Sequence, residues 1–298
     1  MLERLTTNRL WLVAALAALI SSAVQFEQSS HKVPNGHGPG VLLTHALQVA
    51  AYALASILSR KILDDYPRGS RMRRAWLLMC AASTAALIRY TFEWLTYALG
   101  WIDRYHYTLV SLRQVPVVIS LVLLTGGLSA MLWSFQDIGM RVRFRGVDYL
   151  FALAILAFVP GIFALRDRLS DAHSQFAIIR FLQSLSPFLL ALPTLLGIAL
   201  HRISQQMGDG QMAFSLRCLV GFLALRLPAL FVSLLPDYGT PSVILLGVRA
   251  GVFAGATWLF VLAVAYRWQL TQSARRLADE YSSAALPGAG NSWGATLR

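Results

Sequence analysis

The residues with the clearest chemical potential are six arginines that lie inside long apolar segments. They are Arg89, Arg113, Arg180, Arg217, Arg226 and Arg249. An arginine at bilayer depth costs at least about 2.5 to 3.5 kcal/mol on insertion scales, so each needs a compensating partner. Arg217 lies close to the end of its segment and can extend to the headgroups. The other five indicate a site, because the planar guanidinium group is suited to binding carboxylates and phosphates.

Glu93 is the carboxylate that the sequence places nearest to one of these arginines. It follows Arg89 by four residues, which puts both side chains on one face of a helix and within pairing reach. Neutralising Arg89 and Glu93 together should therefore preserve folding better than neutralising Arg89 alone, because the single change leaves a buried charge unpaired.

The remaining arginines have three possible partners. They can reach water, they can donate to carbonyls freed by neighbouring prolines such as Pro116 and Pro228, or they can bind an anion from outside the chain. The third alternative predicts an arginine-lined outer vestibule for an anionic or amphipathic solute. Its candidate ligand-binding residues are Arg89, Tyr90, Glu93, Trp94, Arg113, Gln114, Arg180, Arg226 and Arg249.

The composition defines the elements that must position these residues. The chain is 56% hydrophobic and 13% charged, against about 25% charged in soluble proteins, which excludes a soluble enzyme. A crossing helix needs roughly 20 apolar residues. Eight such segments lie near residues 9–26, 40–59, 74–101, 107–135, 147–165, 174–200, 212–235 and 243–267. They lack period-2 alternation, so the predicted fold is an all-α, polytopic helical membrane bundle.

The distribution of basic residues predicts how the bundle is oriented. Of 26 Lys and Arg residues, six lie within the spans, sixteen fall on one side and four on the other. The four are Lys32, Arg104, Arg166 and Arg168. Because basic loops stay cytoplasmic, both termini are expected in the cytoplasm of a plasma-membrane protein. The net charge of +12 is thus a membrane signature, and no nucleic-acid partner is expected.

Domain organisation is expected to be simple. Residues 1–276 form one transmembrane domain and 277–298 a disordered cytoplasmic tail. Residues 1–23 also resemble a cleavable signal peptide, whose removal would leave seven helices.

A parallel internal repeat of four plus four helices, 9–135 and 147–267, is suggested by spacing. Arg89 and Arg113 match Arg226 and Arg249, and Gln48 matches Gln183.

Signatures of catalysis and cofactor binding are missing from the sequence. It contains no P-loop, HExxH, GxSxG or CxxC motif, so no catalytic residue, metal or cofactor is predicted. His31, His37 and His45 could form a metal site, but the sequence around them lacks a carboxylate pattern that would complete it. Two overlapping GxxxG motifs at Gly247, Gly251 and Gly255 would allow close helix contact and a possible homo-oligomer.

Two short segments resemble the fungal lipid-translocating exporter family named for resistance to aminocholesterol. One is Ile88-Arg89-Tyr90-Thr91-Phe92-Glu93-Trp94, followed by Gly100. The other runs from Gln183 through Pro187 to His201-Arg202, although the family has the two segments in the opposite order. The resemblance implies lipid movement or lipid-linked stress resistance, with Arg89, Tyr90 and Glu93 as the residues that inherit it.

Several functions are compatible with these patterns. The favoured one is a multi-pass transporter or lipid translocase whose partners are membrane lipids and an anionic or amphipathic small molecule. A seven-helix receptor or sensor, a membrane enzyme using Glu93 or His106, and a non-catalytic scaffold are the alternatives.

The fate of the first segment gives a direct test. We expect the mature protein to retain Met1, which sequencing of its N-terminus will show. A mature chain beginning after Ala23 would instead give the seven-helix topology that the receptor alternative requires.

Overall fold

A computed structural model describes residues 7–30, 39–169, 177–232 and 243–284. These residues form eight α-helices and no strand, which confirms the all-helical fold. The helices are α1 (Thr7–Ser30), α2 (Pro39–Leu63), α3 (Arg71–Ala98), α4 (Ile102–Asp137), α5 (Gly146–Leu169), α6 (Ala177–Gln206), α7 (Gln211–Val232) and α8 (Val243–Ala284).

Seven of the eight helices contain a segment long and apolar enough to cross a membrane, which indicates an integral multi-pass membrane protein. In α5 the apolar segment found among the described residues covers only Gly146–Ala157, so the eighth crossing stays a prediction. Helix α8 continues to Ala284, into the region where the disordered tail was predicted, and residues 285–298 lie outside the described part.

The turns between helices follow local sequence signals. Gly69 and Gly100, in the α2–α3 and α3–α4 links, have φ values of 90° and 65°, which glycine adopts without steric cost. Ser70 begins α3, since its hydroxyl accepts a hydrogen bond from the Arg73 backbone N–H at 3.2 Å. The α3–α4 link consists of residues 99–101 only. Because this link is short, α3 and α4 lie antiparallel against each other.

Six helices form a closed ring in the order α2, α3, α4, α6, α7, α8 and back to α2. Helix α1 packs outside this ring on α8 and α2, and α5 packs outside on α6. If α2, α3 and α4 exchange places with α6, α7 and α8, each helix keeps equivalent neighbours around the ring. An internal repeat of four plus four helices requires this equivalence, although the repeat itself stays a prediction.

Ion pairs concentrate at one end of the bundle, called here the basic end, where residues 64–70, 138–145 and 207–210 connect the helices. Arg202 of α6 donates two hydrogen bonds, of 2.7 and 2.6 Å, to the buried carboxylate of Asp148 at the start of α5. This bidentate contact fastens α5 to the ring.

The GxxxG glycines of α8 are used within the chain, where they face α1. A Cβ atom added at Gly247 would lie 3.2 Å from the Ser22 carbonyl, and one at Gly251 would lie 3.1 Å from the Ala18 carbonyl and closer still to Ser22 Oγ. Small residues thus let the two helices approach closely. The predicted homo-oligomer is not needed to explain the motif and stays a prediction.

Enlarging Gly251 should therefore destabilise the protein. We expect Gly251→Leu to lower the stability by about 1 to 3 kcal/mol, because a backbone carbonyl of α1 cannot move aside. Gly146→Leu is the matched control, since nothing lies within 4 Å of its added Cβ. Thermal unfolding of the purified variants checks this, and equal midpoints for the two variants would contradict the close α1–α8 contact.

Candidate functional site

The candidate site is built around the carboxylate of Glu93, which α2, α3 and α4 surround with basic groups. Oε1 lies 3.1 Å from Arg113 Nη1 and 3.4 Å from Arg89 Nη2, and Oε2 lies 3.8 Å from His45 Nδ1. Arg89 and Glu93 share one face of α3 through their four-residue spacing. Arg113 reaches the same carboxylate because the short link returns α4 alongside α3. We call His45, Arg89, Glu93 and Arg113 the carboxylate cluster.

The carboxylate cluster carries more positive than negative charge. Glu93 is buried, with 5% of its surface exposed, and two guanidinium groups share its single negative charge. The predicted Arg89–Glu93 pair is therefore present, but it is not isolated. One positive charge stays uncompensated even when His45 is neutral.

A stacked pair of tyrosines connects the carboxylate cluster to the other half of the ring. The Arg89 guanidinium lies over the Tyr90 ring at 4.8 Å, and Tyr90 stacks on Tyr52 of α2 at 5.2 Å and 13°. The Tyr52 hydroxyl accepts a hydrogen bond from Arg226 Nη2 of α7. Arginines from α3 and α7 thus lie on either side of one aromatic stack.

Arg226 is held by aromatic rings, and no carboxylate pairs with it among the described residues. Its guanidinium lies 4.5 Å from the Phe253 ring and 5.1 Å from the Phe222 ring. Thr257 Oγ1 is 3.5 Å from Nη2. Cation–π contacts stabilise such a buried cation only partly, by about 0.5 to 2 kcal/mol each, so Arg226 retains capacity for an anion. We call the carboxylate cluster with Tyr52, Tyr90 and Arg226 the inner site.

Several polar atoms at the inner site are buried without a hydrogen-bond partner among the described residues. They are Arg89 Nε, Arg113 Nε, Arg226 Nε, His45 Nδ1, Tyr90 Oη and, one turn from His45, Gln48 Oε1. Buried polar groups are nearly always hydrogen-bonded, by protein, water or ligand. Three of these atoms are guanidinium donors, so the arrangement suits an acceptor-rich anion.

The predicted site residues divide into two groups. Arg89, Tyr90, Glu93, Arg113 and Arg226 meet at the inner site.

The other four predicted residues are not placed at the inner site. Trp94 is exposed on α3, and Gln114 is half-buried on α4 with no contact to Glu93 among the described residues. Arg249 is half-buried on α8 and has no ion pair in the described part of the chain. The side chain of Arg180 lies outside the described residues.

Sequence reasoning missed two parts of the polar framework. On α2, His45, Gln48 and Tyr52 follow one another at spacings of three and four residues, which marks one face of a helix and could have revealed them. Asp148 was overlooked at the edge of its apolar segment, where it partners Arg202.

The histidine metal site is not tested as a whole, because His31 and His37 lie outside the described residues. Within the described residues, no group of three or more His, Cys, Asp and Glu side chains is arranged to hold a metal ion.

Fold and site together define a class: an integral, multi-pass helical membrane protein with a cation-rich polar site inside its helix ring. Comparisons with models of protein families, with curated proteins and with solved structures give no match. The functional argument therefore rests on the geometry of the site.

Sharing of Glu93 changes the expected stability of charge-neutralised variants. Glu93→Gln should cost about 3 to 5 kcal/mol, because it leaves buried cations facing one another. Arg89→Gln should cost less, since Glu93 keeps Arg113 as its partner. The double variant should be no more stable than Arg89→Gln, because Arg113 then loses the carboxylate that pairs with it, and no other carboxylate pairs with Arg113 among the described residues.

Thermal unfolding of the purified variants measures this order. Asp137→Asn is the control for loss of a carboxylate, since Asp137 pairs with Arg71 at 2.7 Å but half of its side chain is exposed. A double variant clearly more stable than Arg89→Gln would show that the pair is isolated after all.

Proposed function

We propose that the protein is a multi-pass transporter or lipid translocase that binds an anionic or amphipathic solute at the inner site. The observation that supports this most strongly is the charge imbalance inside the ring. Arg89 and Arg113 share the single carboxylate of Glu93, and Arg226 lies across the Tyr52–Tyr90 stack with no carboxylate beside it in the described part of the chain. Each of the three arginines keeps a buried Nε donor without a partner among the described residues. A phosphate or carboxylate group would supply both the missing charge and the missing acceptors.

Binding of the anion would compete directly with an internal contact. The solute's anionic group and Glu93 both need the donors of Arg89 and Arg113. A bound anion would therefore weaken the ion pair between Glu93 of α3 and Arg113 of α4. This ion pair joins the two helices at the inner site. A ligand shifts a conformational equilibrium only through such differential contacts. This competition is the step that would couple binding to movement of the ring helices.

The ring suits transport because the inner site lies between its two halves. Arg89 comes from the first proposed repeat and Arg226 from the second, and the Tyr52–Tyr90 stack lies between them. Transporters built from repeats place their solute site at such an interface. By the distribution of basic loops, we propose a plasma-membrane orientation with the basic end and both termini in the cytoplasm, and the inner site toward the outer half.

Retention of the first helix favours the transporter over the receptor alternative. Ala14 and Ala17 of α1 are buried, and α1 packs on α8. Cleavage after Ala23 would remove most of this helix, so we propose that α1 is part of the mature protein. The family resemblance adds support for a lipid-like solute, because Arg89, Tyr90 and Glu93 belong to both the resembling segment and the inner site.

Octyl phosphate is a defined probe for binding of an amphipathic anion at the inner site. We expect it to raise the unfolding midpoint of the purified protein, to do so less for Arg226→Lys, and to have no such effect on Arg226→Gln. Lysine keeps the charge but cannot form the forked contact. Arg217→Gln is the matched control, because Arg217 pairs with the exposed Asp209 at the basic end. Equal stabilisation of all four proteins, or of none, would contradict the proposal.

A second assay separates lipid from soluble solutes. Proteoliposomes with fluorescently labelled phosphatidylglycerol or phosphatidylcholine report lipid translocation through quenching by external dithionite. Translocation of phosphatidylglycerol that is at least tenfold slower in Arg226→Gln than in Arg217→Gln would identify a lipid translocase. Stabilisation by octyl phosphate without lipid translocation would identify a soluble amphipathic anion as the solute.

A further inference from the structure

The two oxygens of the Glu93 carboxylate face different partners. Oε1 contacts both guanidinium groups of the carboxylate cluster, whereas Oε2 faces the imidazole of His45, at 3.8 Å from Nδ1. This distance is longer than a hydrogen bond, and Nδ1 is buried without a hydrogen-bond partner among the described residues. The imidazole therefore lies next to the carboxylate without being bonded to it.

Tyr97 fixes the position of this imidazole. It follows Glu93 by four residues on one face of α3, and its ring stacks on His45 with the centroids 4.9 Å apart and the planes at 22°. The face of an aromatic ring attracts a cation, so the stack can hold the imidazolium form as well as the neutral form.

His45 lies near the end of the bundle opposite the basic end. It is six residues from the start of α2, which is about 9 Å along the helix axis at 1.5 Å per residue. Part of its side chain, 21%, is exposed. A proton from the aqueous phase at that end therefore has only a short distance to cover.

Four ionisable groups face His45, and they come from α3 and α4. The Glu93 carboxylate attracts a proton to the imidazole, and the Arg89 and Arg113 guanidinium groups repel it. The fourth is the phenol of Tyr97 in the stacked ring. Helices α1 and α8 also pack on α2, but no charged group of theirs acts on His45 in the described part of the chain. Attraction and repulsion thus oppose each other at this imidazole.

An anion bound by the two arginines would change this balance in one direction. Its negative charge would offset the charges of Arg89 and Arg113, which would then repel a proton on His45 less strongly. Glu93, released from the guanidinium groups, would become a buried carboxylate that needs another cation. A protonated His45 can supply it, because Oε2 already faces this ring. Pairing of Glu93 with His45 would in turn leave the arginines free for the anion.

We propose that the inner site binds its anion together with a proton, which His45 holds beside Glu93. The proton comes from water and forms one N–H bond at the imidazole, so the site gains one positive charge for each anion bound. The second N–H of the imidazolium has a candidate acceptor one turn along α2, the buried and unpartnered Oε1 of Gln48. This inference rests on the proposed function and adds a coupling ion to it.

Binding of one anion at two pH values tests the coupling. Octyl sulfate is the probe, because its sulfate keeps a single negative charge, whereas a phosphate monoester itself titrates near pH 6. The two values are about pH 5.5 and about pH 8, on either side of the range in which histidine titrates. We expect the purified full-length protein to bind octyl sulfate about tenfold more tightly at the lower pH, a typical size for coupling between two ligands. Isothermal titration calorimetry measures both affinities.

Histidine variants locate the proton. His45→Gln should remove the pH dependence, because glutamine is polar but does not titrate. His201→Gln is the matched control and should retain it, since His201 lies near the basic end of α6 and contacts the exposed Gln205.

Proton uptake can also be counted without any variant, so the test does not depend on His45→Gln folding. Calorimetry near neutral pH in two buffers with different ionisation enthalpies gives the number of protons taken up with each octyl sulfate. We expect a net uptake of up to about one proton, because a single imidazole accepts it.

The outcomes separate the coupling from the proposed function. Equal affinity at both pH values, without proton uptake, would overturn the coupling and leave the anion site in place. Failure of octyl sulfate to bind at either pH would also overturn the coupling, and the effect of octyl phosphate on the unfolding midpoint then decides separately on the proposed function. A pH dependence that persists in His45→Gln would place the proton on another group and overturn the role of His45. A dependence that disappears in the presence of EDTA would assign it to a metal ion and overturn the proposal as well.

Discussion

One buried carboxylate holds together the polar half of the helix ring. Glu93 of α3 contacts His45 of α2 and Arg113 of α4, as well as Arg89 on its own helix. In an apolar environment each charge would be strongly unfavourable without an opposite charge nearby. Three neighbouring helices are therefore constrained to meet where this carboxylate lies. The constraint is incomplete, because one carboxylate cannot neutralise two guanidinium groups, and that residual charge is the basis of the proposed function.

Aromatic rings carry the polar contacts from the carboxylate cluster to the opposite half of the ring. The Tyr52–Tyr90 stack lies between Arg89 and Arg226, and Phe222 and Phe253 present their faces to Arg226. These rings can stabilise a cation without neutralising it. Tyr52 and Phe222 also pack as apolar groups against Phe260. The same aromatic layer can thus keep Arg226 available to an anion and separate the inner site from the basic end of the ring.

The sequence alone predicts the helices and part of the site, because both depend on residues that lie close together in the chain. Long apolar segments predict helices, and the four-residue spacing of Arg89 and Glu93 predicts their pairing. The participation of Arg113 depends on the register between α3 and α4, and that of Tyr52 depends on α2 facing α7 across the ring. The local spacing of residues in the sequence does not determine such contacts between helices. For the same reason the GxxxG pattern of α8 predicts a close helix contact but does not identify the partner helix, which for Gly247 and Gly251 is α1 of the same chain.

The central claim is that the arginines of the inner site face the ring interior and an aqueous path, and cysteine labelling tests it most directly. In a background lacking Cys80 and Cys218, Arg113→Cys is compared with Ile119→Cys, which lies on an exposed face of α4. A charged, membrane-impermeant thiosulfonate should modify Arg113→Cys in intact membranes and leave Ile119→Cys unmodified. Modification of both cysteines only by a lipid-soluble maleimide would place Arg113 against lipid and contradict the account.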